Sequence, residues 1–189
     1  MHPSATRVST QRAAARGFTM VELMGVVIVV GILACLAGFR VRRYIASSKV
    51  TETTEAFLSV KHGQETYKDE TFTYLNVSPN LTAAASFYPN NPLPGRQKMN
   101  FAGAGTGQAG WQTLNVQLSA PTLFVYACTA GLANTAPSAL GSDITVSNWP
   151  TTLGMPWYVV KARADLVGDG TMTVVVSTSF ANEVYAVNN

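Results

Sequence analysis

The sequence predicts an α+β fold: a long N-terminal helix, half membrane-spanning and half amphipathic, packed on a small antiparallel β-sheet. Three observations predict it. A run of 22 residues, Phe18 to Phe39, is apolar apart from one charge, Glu22. The helical pattern then continues in amphipathic form to about Lys68, and no proline interrupts residues 18–78. The C-terminal part holds short β-rich runs separated by turn residues.

The apolar run comes first because it dominates the composition. The chain has 189 residues, enough for one domain and a long helix, and its 12% of charged residues is low. As a helix the run would be about 33 Å long at about 1.5 Å per residue, enough to cross a bilayer core. Arg7, Arg12 and Arg16 precede it in a segment without acidic residues, which reads as a targeting leader. Without that leader, 10 basic residues face 10 acidic ones, so bulk charge gives no support for nucleic-acid binding. Cys35 lies inside the run and Cys128 far outside it, a placement that disfavours an intrachain disulfide; both read as small buried residues.

Glu22 is the informative residue of the run. An ionised carboxylate in a membrane helix costs about 2.5–3.5 kcal/mol. Either it lies at the interface, where that cost is small, or it awaits a cation supplied by another subunit. The run also carries a stripe of small residues, Gly31, Ala34, Cys35 and Gly38, at i, i+3, i+4 and i+7. Small side chains let helices approach closely. Each glycine otherwise costs about 1 kcal/mol of helix propensity, so a packing role is one reading and a lipid-facing helix with tolerated glycines the other.

The segment Arg16-Gly17-Phe18-Thr19-Met20-Val21-Glu22-Leu23-Met24 resembles the processing site of type IV pilins and type II secretion pseudopilins. The resemblance implies cleavage between Gly17 and Phe18 by a prepilin peptidase, which also N-methylates the new amine. It implies that Glu22 pairs with the Phe18 amine of a neighbouring subunit. It also implies a helical filament of like subunits, or co-assembly with other pilins, driven by an inner-membrane platform and its ATPase. The precursor would sit in the inner membrane with its head in the periplasm, and the filament at the cell surface. Charge does not fix this orientation, since Arg40, Arg42 and Arg43 follow the run as closely as the leader arginines precede it. Two departures stand out: Gly25 replaces a bulky aliphatic residue, and Phe39 stands where many pilins have a helix-melting proline.

The expected organisation is a leader at 1–17, an assembly helix at 18–39, its amphipathic continuation at 40–68 and a head at 69–189. On the continuation, Val50, Phe57, Val60 and Tyr67 share a side with Gln64 between them. The segments Thr54-Glu55-Ala56, Gln64-Glu65-Thr66-Tyr67 and Thr73-Tyr74 also resemble the post-membrane region of pilins, whose shape is ladle-like. Residues 78–110 read as loop. Strand candidates are Leu114–Leu118, Thr122–Thr129, Trp157–Ala164 and Thr171–Thr178, the last two forming a hairpin, with Val184–Val187 as a further strand. Residues 131–155 read as a variable loop.

No cofactor or metal is expected. The Asp165–Gly170 turn offers too few alternating oxygen ligands for calcium, because Val167 stands where a second Asp would be wanted; Asp-Gly hairpin chemistry suits it better. His2 is in the leader and His62 lies on a helix among polar residues, so no catalytic arrangement is indicated and no enzyme is expected. The glycines at 103, 105 and 107 lack a phosphate-binding ending, and the sequons at Asn76 and Asn80 are uninformative. Two other readings remain. Ile32-Leu33-Ala34-Cys35 resembles a lipobox, which would make a lipoprotein anchored at Cys35. Within the resembled family, pilus subunit, minor pilin and secretion pseudopilin share the same first half.

Overall fold

The computed structural model describes residues 17–89, 97–102, 105, 107–166, 168 and 170–187, with backbone alone at 37–48 and 50. The chain divides into two units, Met1–Val41 and Arg42–Asn189. One helix, α1 (Met20–Thr71, 52 residues), supplies all the described secondary structure of the first unit and begins the second. It is continuous through position 38, so the backbone shows no break where a melted turn could have stood. Its C-terminus falls three residues beyond the expected Lys68.

In the first unit, every residue from Val21 to Leu36 is exposed. Among the described residues no helix is long and apolar enough to cross a membrane. The span expected from Phe18 to Phe39 includes 37–39, whose side chains lie outside those described.

The second unit is built around a four-stranded antiparallel sheet in the order β1 (Val125–Gly131), β2 (Trp157–Ala164), β3 (Thr173–Thr178) and β4 (Tyr185–Val187). Its neighbours are consecutive in sequence, so it is a simple meander. The β2–β3 hairpin pairs Ala164 with Thr173, and Asp165 closes the turn by accepting the amides of Gly168 and Gly170. Both glycines have positive φ, which an L side chain would resist. That carboxylate is already engaged in the turn, while positions 167 and 169, part of the weighed calcium loop, lie outside the described residues.

Period-two alternation sends β2 residues to opposite faces. Tyr158, Val160, Ala162 and Ala164 face one core with Ala56, Phe57 and Val60 of α1. Phe57 meets Tyr126 edge to face at 6.4 Å between centroids. As the helical pattern anticipates, the face with Phe57, Val60 and Gln64 is the buried one. Val50 falls outside the described side chains.

Where α1 ends, Phe72 takes φ 62° and its amide bonds to the Lys68 carbonyl, a left-handed cap more often made by glycine. The chain then folds back onto the helix through Gln64. Its side chain exchanges two bonds with the Leu75 backbone (2.8 and 2.9 Å) and donates to the Cys128 sulfur at 3.2 Å. Gln64 is thus a fully buried amide with its polar atoms satisfied, joining helix, return segment and β1.

Two expectations fail here. Leu114–Leu118 is no strand: Leu114 and Asn115 form the turn that ends a short helix, α2 (Gln108–Thr113), and 116–118 is extended without a ladder. The loop expected to reach residue 110 ends at that helix, which exists to bury Trp111 against Tyr88 and Phe101. Gly63 is where α1 passes this segment, and a Cβ there would overlap the Leu114 carbonyl oxygen. In an open helix Gly→Ala stabilises by about 1 kcal/mol. Gly63→Ala is instead expected to destabilise by about 1–3 kcal/mol through overpacking, read from urea denaturation of the full chain in detergent micelles. A gain in stability would mean that the Leu114 turn is not seated on the helix.

The other face of the sheet is also covered. Of the loop expected at 131–155, Gly131 belongs to β1; residues 132–155 contain no helix or strand and form a strap over Val125, Ala127, Val159, Val174 and Val176. Leu140 and Ile144 insert from it, and Trp157 Nε1 donates to Thr135 at 2.9 Å. At its centre the Nζ of Lys161, a side chain with no exposed surface, donates to Asp143 at 2.6 Å and to the Leu140 carbonyl at 2.5 Å. Arg163, two residues on, stacks over the Phe87 ring at 4.0 Å.

Buried proton donors set the alkaline limit of this unit. Burial pushes the Cys128 thiol up to about 12, partly offset by the Gln64 amide, and raises the Tyr126 and Tyr158 phenols as well. The native state therefore keeps protons that the unfolded chain gives up above its ordinary thiol and phenol values of 9.0 and 10.0. Stability should be full below about pH 9 and fall as pH rises further. The urea midpoint between pH 7 and 11 checks this, and a flat profile to pH 11 would contradict it. For the same reason Cys128 should be alkylated at pH 8 only in unfolded chains.

Candidate functional site

The site read from sequence is the start of α1. Residues Gly17 to Thr19 are non-helical and exposed, and the helix begins at Met20. The Gly17–Phe18 bond thus lies in non-helical, solvent-accessible backbone, where proteolytic cleavage concentrates. Phe18 is 84% exposed and makes no aromatic contact among the described residues.

Thr19 and Glu22 close a reciprocal cap on the helix. The Thr19 hydroxyl accepts the Glu22 amide at 3.2 Å, while Glu22 Oε2 accepts the Thr19 amide at 3.0 Å and its hydroxyl at 2.9 Å. This is a capping box, which satisfies amides that a helix start leaves unpaired. The positive end of the helix dipole favours the carboxylate in the same place. Glu22 is therefore already engaged within one chain, although Oε1 has no hydrogen bond among the described residues. Thr19 is the residue that sequence reading passed over. Its signal was present: Thr-x-x-Glu directly before an apolar run is the capping-box pattern.

The small-residue stripe is accounted for in part. Gly31, Ala34 and Cys35 are exposed, and a Cβ at Gly25 or Gly31 would meet nothing within 4 Å. Gly38 falls outside the described side chains. No described residue of this chain packs on Gly31. Cys35 is exposed here, against the expectation that both cysteines are buried; Cys128 is buried as expected, and both are free thiols. Leader residues 1–16, with Arg7, Arg12 and Arg16, lie outside the described residues.

Elsewhere, His62 is exposed and its carbonyl accepts the Thr66 hydroxyl at 2.9 Å, with no acid or nucleophile bonded to its ring among the described residues. Among those residues no three His, Cys, Asp or Glu side chains converge on a common metal position.

Comparison with known proteins finds one similarity of note. The chain is 32% identical over 84 residues to the type II secretion system core protein G of Pseudomonas aeruginosa, covering 44% of this chain and 59% of that protein. The chain thus spans about three-fifths of the length of the curated relative it matches. No protein-family model matches, and neither does any solved structure.

Proposed function

We propose that this chain is a type IV pilin-like structural subunit, processed after Gly17 and polymerised into a filament through its N-terminal helix. The observation that carries the reading is the start of α1. An exposed scission point there precedes a capped helix bearing Glu22 and an apolar run exposed from Phe18 to Leu36. An apolar surface of that extent is stable only when covered, first by lipid and then by like helices. The similarity to a secretion system core protein supports the same class.

In the proposed sequence of events, Phe18 to Phe39 holds the precursor in the inner membrane with the second unit in the periplasm. A prepilin peptidase cuts at Gly17 and N-methylates the Phe18 amine. Glu22 of one subunit then meets that amine on the next, so that two charges costly to bury alone cancel. A membrane platform with its ATPase extrudes the array, an open heterologous assembly that one repeated contact can generate. Gly31, Ala34, Cys35 and Gly38 supply the close helix contacts. The similarity favours one second reading, a pseudopilin of a type II secretion system, which shares every step up to the length and place of the filament.

The test is intact mass and N-terminal sequence of the protein from membrane and sheared-surface fractions. A chain starting at N-methylated Phe18 is expected. Abundance in the sheared fraction supports a pilus, and confinement to the membrane supports the pseudopilin. A chain lipidated at Cys35, or one retaining Met1, overturns both.

A further inference from the structure

Three arginines directly follow the apolar run: Arg40, Arg42 and Arg43, with Lys49 after them. No acidic residue occurs anywhere between Glu22 and Glu52. The backbone is helical across this stretch, since α1 runs from Met20 to Thr71. Ion pairs along a helix join residues three or four apart. Every position within four residues of each arginine is uncharged or basic, so local helical pairing supplies none of them with a counter-charge. Arg40 and Arg43, three apart, instead repel each other.

The helical rise sets where this charge falls. Arg40 is 20 residues beyond Met20. At about 1.5 Å per residue that is about 30 Å, the thickness of a hydrocarbon core. Arg42 and Arg43 follow within three residues. A run that spans the bilayer therefore delivers three positive charges together at headgroup level.

We propose that Arg40, Arg42 and Arg43 form a contact surface for the phosphate headgroups of anionic phospholipids, in the leaflet where the apolar run ends. This contact presupposes that the run enters the membrane, as the proposed function requires. Charge complementarity favours the occupant, since each basic residue near an anionic bilayer surface strengthens its attraction by up to about fivefold. So does continuity with the apolar run, which lipid would cover. Cleavage after Gly17 removes Arg7, Arg12 and Arg16, leaving these three as the densest basic cluster beside the run. A subunit leaving the bilayer then has to give up their headgroup contacts, so anionic lipid content would set how readily subunits are extracted.

The test uses the full chain carrying Arg7→Gln, Arg12→Gln and Arg16→Gln, so that the leader contributes no charge. Native mass spectrometry from detergent micelles compares retained phosphatidylglycerol with retained phosphatidylcholine at equal lipid concentrations. Phosphatidylglycerol should be favoured by more than about tenfold. Adding Arg40→Gln, Arg42→Gln and Arg43→Gln should bring the ratio close to one, whereas lysine at the same three positions should preserve it. Millimolar inorganic phosphate should leave the lipid in place, because free phosphate lacks the acyl chains that hold a headgroup at this level. Equal retention of the two lipids, a preference unchanged by the glutamine replacements, or displacement by phosphate each overturns the proposal. Flotation with vesicles tells this failure from that of the proposed function. A chain that floats with vesicles of neither lipid fails both, and one that floats with both yet retains the two lipids equally fails the headgroup contact alone.

Discussion

An Asp143→Ala variant is expected to lose about 3 kcal/mol of stability, because it strands a buried ammonium. Lys161 has no exposed surface, and its Nζ is held by the Asp143 carboxylate and the Leu140 carbonyl. Burial already pulls the Lys161 ammonium below its ordinary value, and the contact with Asp143 opposes that shift. Removing the carboxylate leaves desolvation opposed only by the Leu140 carbonyl, on a face where the neighbours are Val174, Val176 and Ala127. Lys161→Met removes the charge itself and should cost far less, because apolar replacements of buried pairs are often neutral. The double variant should therefore recover most of what Asp143→Ala loses. Urea denaturation of the full chain in micelles measures all three. A single Asp143→Ala variant within about 0.5 kcal/mol of the parent would show that water reaches the ammonium freely.

The second large effect concerns assembly rather than folding. Glu22→Ala should be cut after Gly17 and accumulate in the membrane, yet yield no filament. In the proposed filament the substitution removes the partner of the Phe18 amine at every repeat, and breaking one half of a buried pair strands the other charge. The capping box allows the two roles of the carboxylate to be separated. Thr19→Ala removes the hydroxyl that receives the Glu22 amide, at about 1 kcal/mol of helix capping, but keeps the charge. Filaments from Thr19→Ala with none from Glu22→Ala would assign the assembly role to the charge. Equal loss in both would assign it to the cap, and normal filaments from Glu22→Ala would end the pairing mechanism. Recovery of processed and sheared protein by mass spectrometry decides among these outcomes.

What could be read from residues alone follows the physics of each element. The first helix was legible because 3.6-residue periodicity and the lack of proline persist over several turns. The β2–β3 hairpin was legible because β-branched runs flank an Asp-Gly turn, and the prediction placed β2 at its observed ends. The segment Leu114–Leu118 misled because alternation is also what an extended chain shows when it lies over a core without a ladder partner. Helix α2 was hidden because Gly107 and Gly110 read as loop, although both positions hold glycine for closeness to Val77. Lys161 gave no signal either. A lysine in a strand reads as solvent-facing until something covers that face, and the covering strap has no periodicity to announce it. At the candidate site, Glu22 stood out as a lone charge, while Thr19 carried its information only in its spacing to Glu22.

The sheet has two edges, and neither invites a neighbour. Along β1, Tyr88 exchanges backbone bonds with Tyr126, Val77 and Ser78 both bond to the Cys128 carbonyl, and Asn76 takes the Ala130 amide. Along the far side, β4 offers only three residues. Crowding many copies of such a unit side by side, as a polymer or a membrane patch would, therefore carries little risk of strands joining between molecules into cross-β aggregates. Growth through a helix and growth through a sheet would compete in one chain. By covering one edge and keeping the described part of the other short, this unit leaves lateral order to be set elsewhere in the molecule.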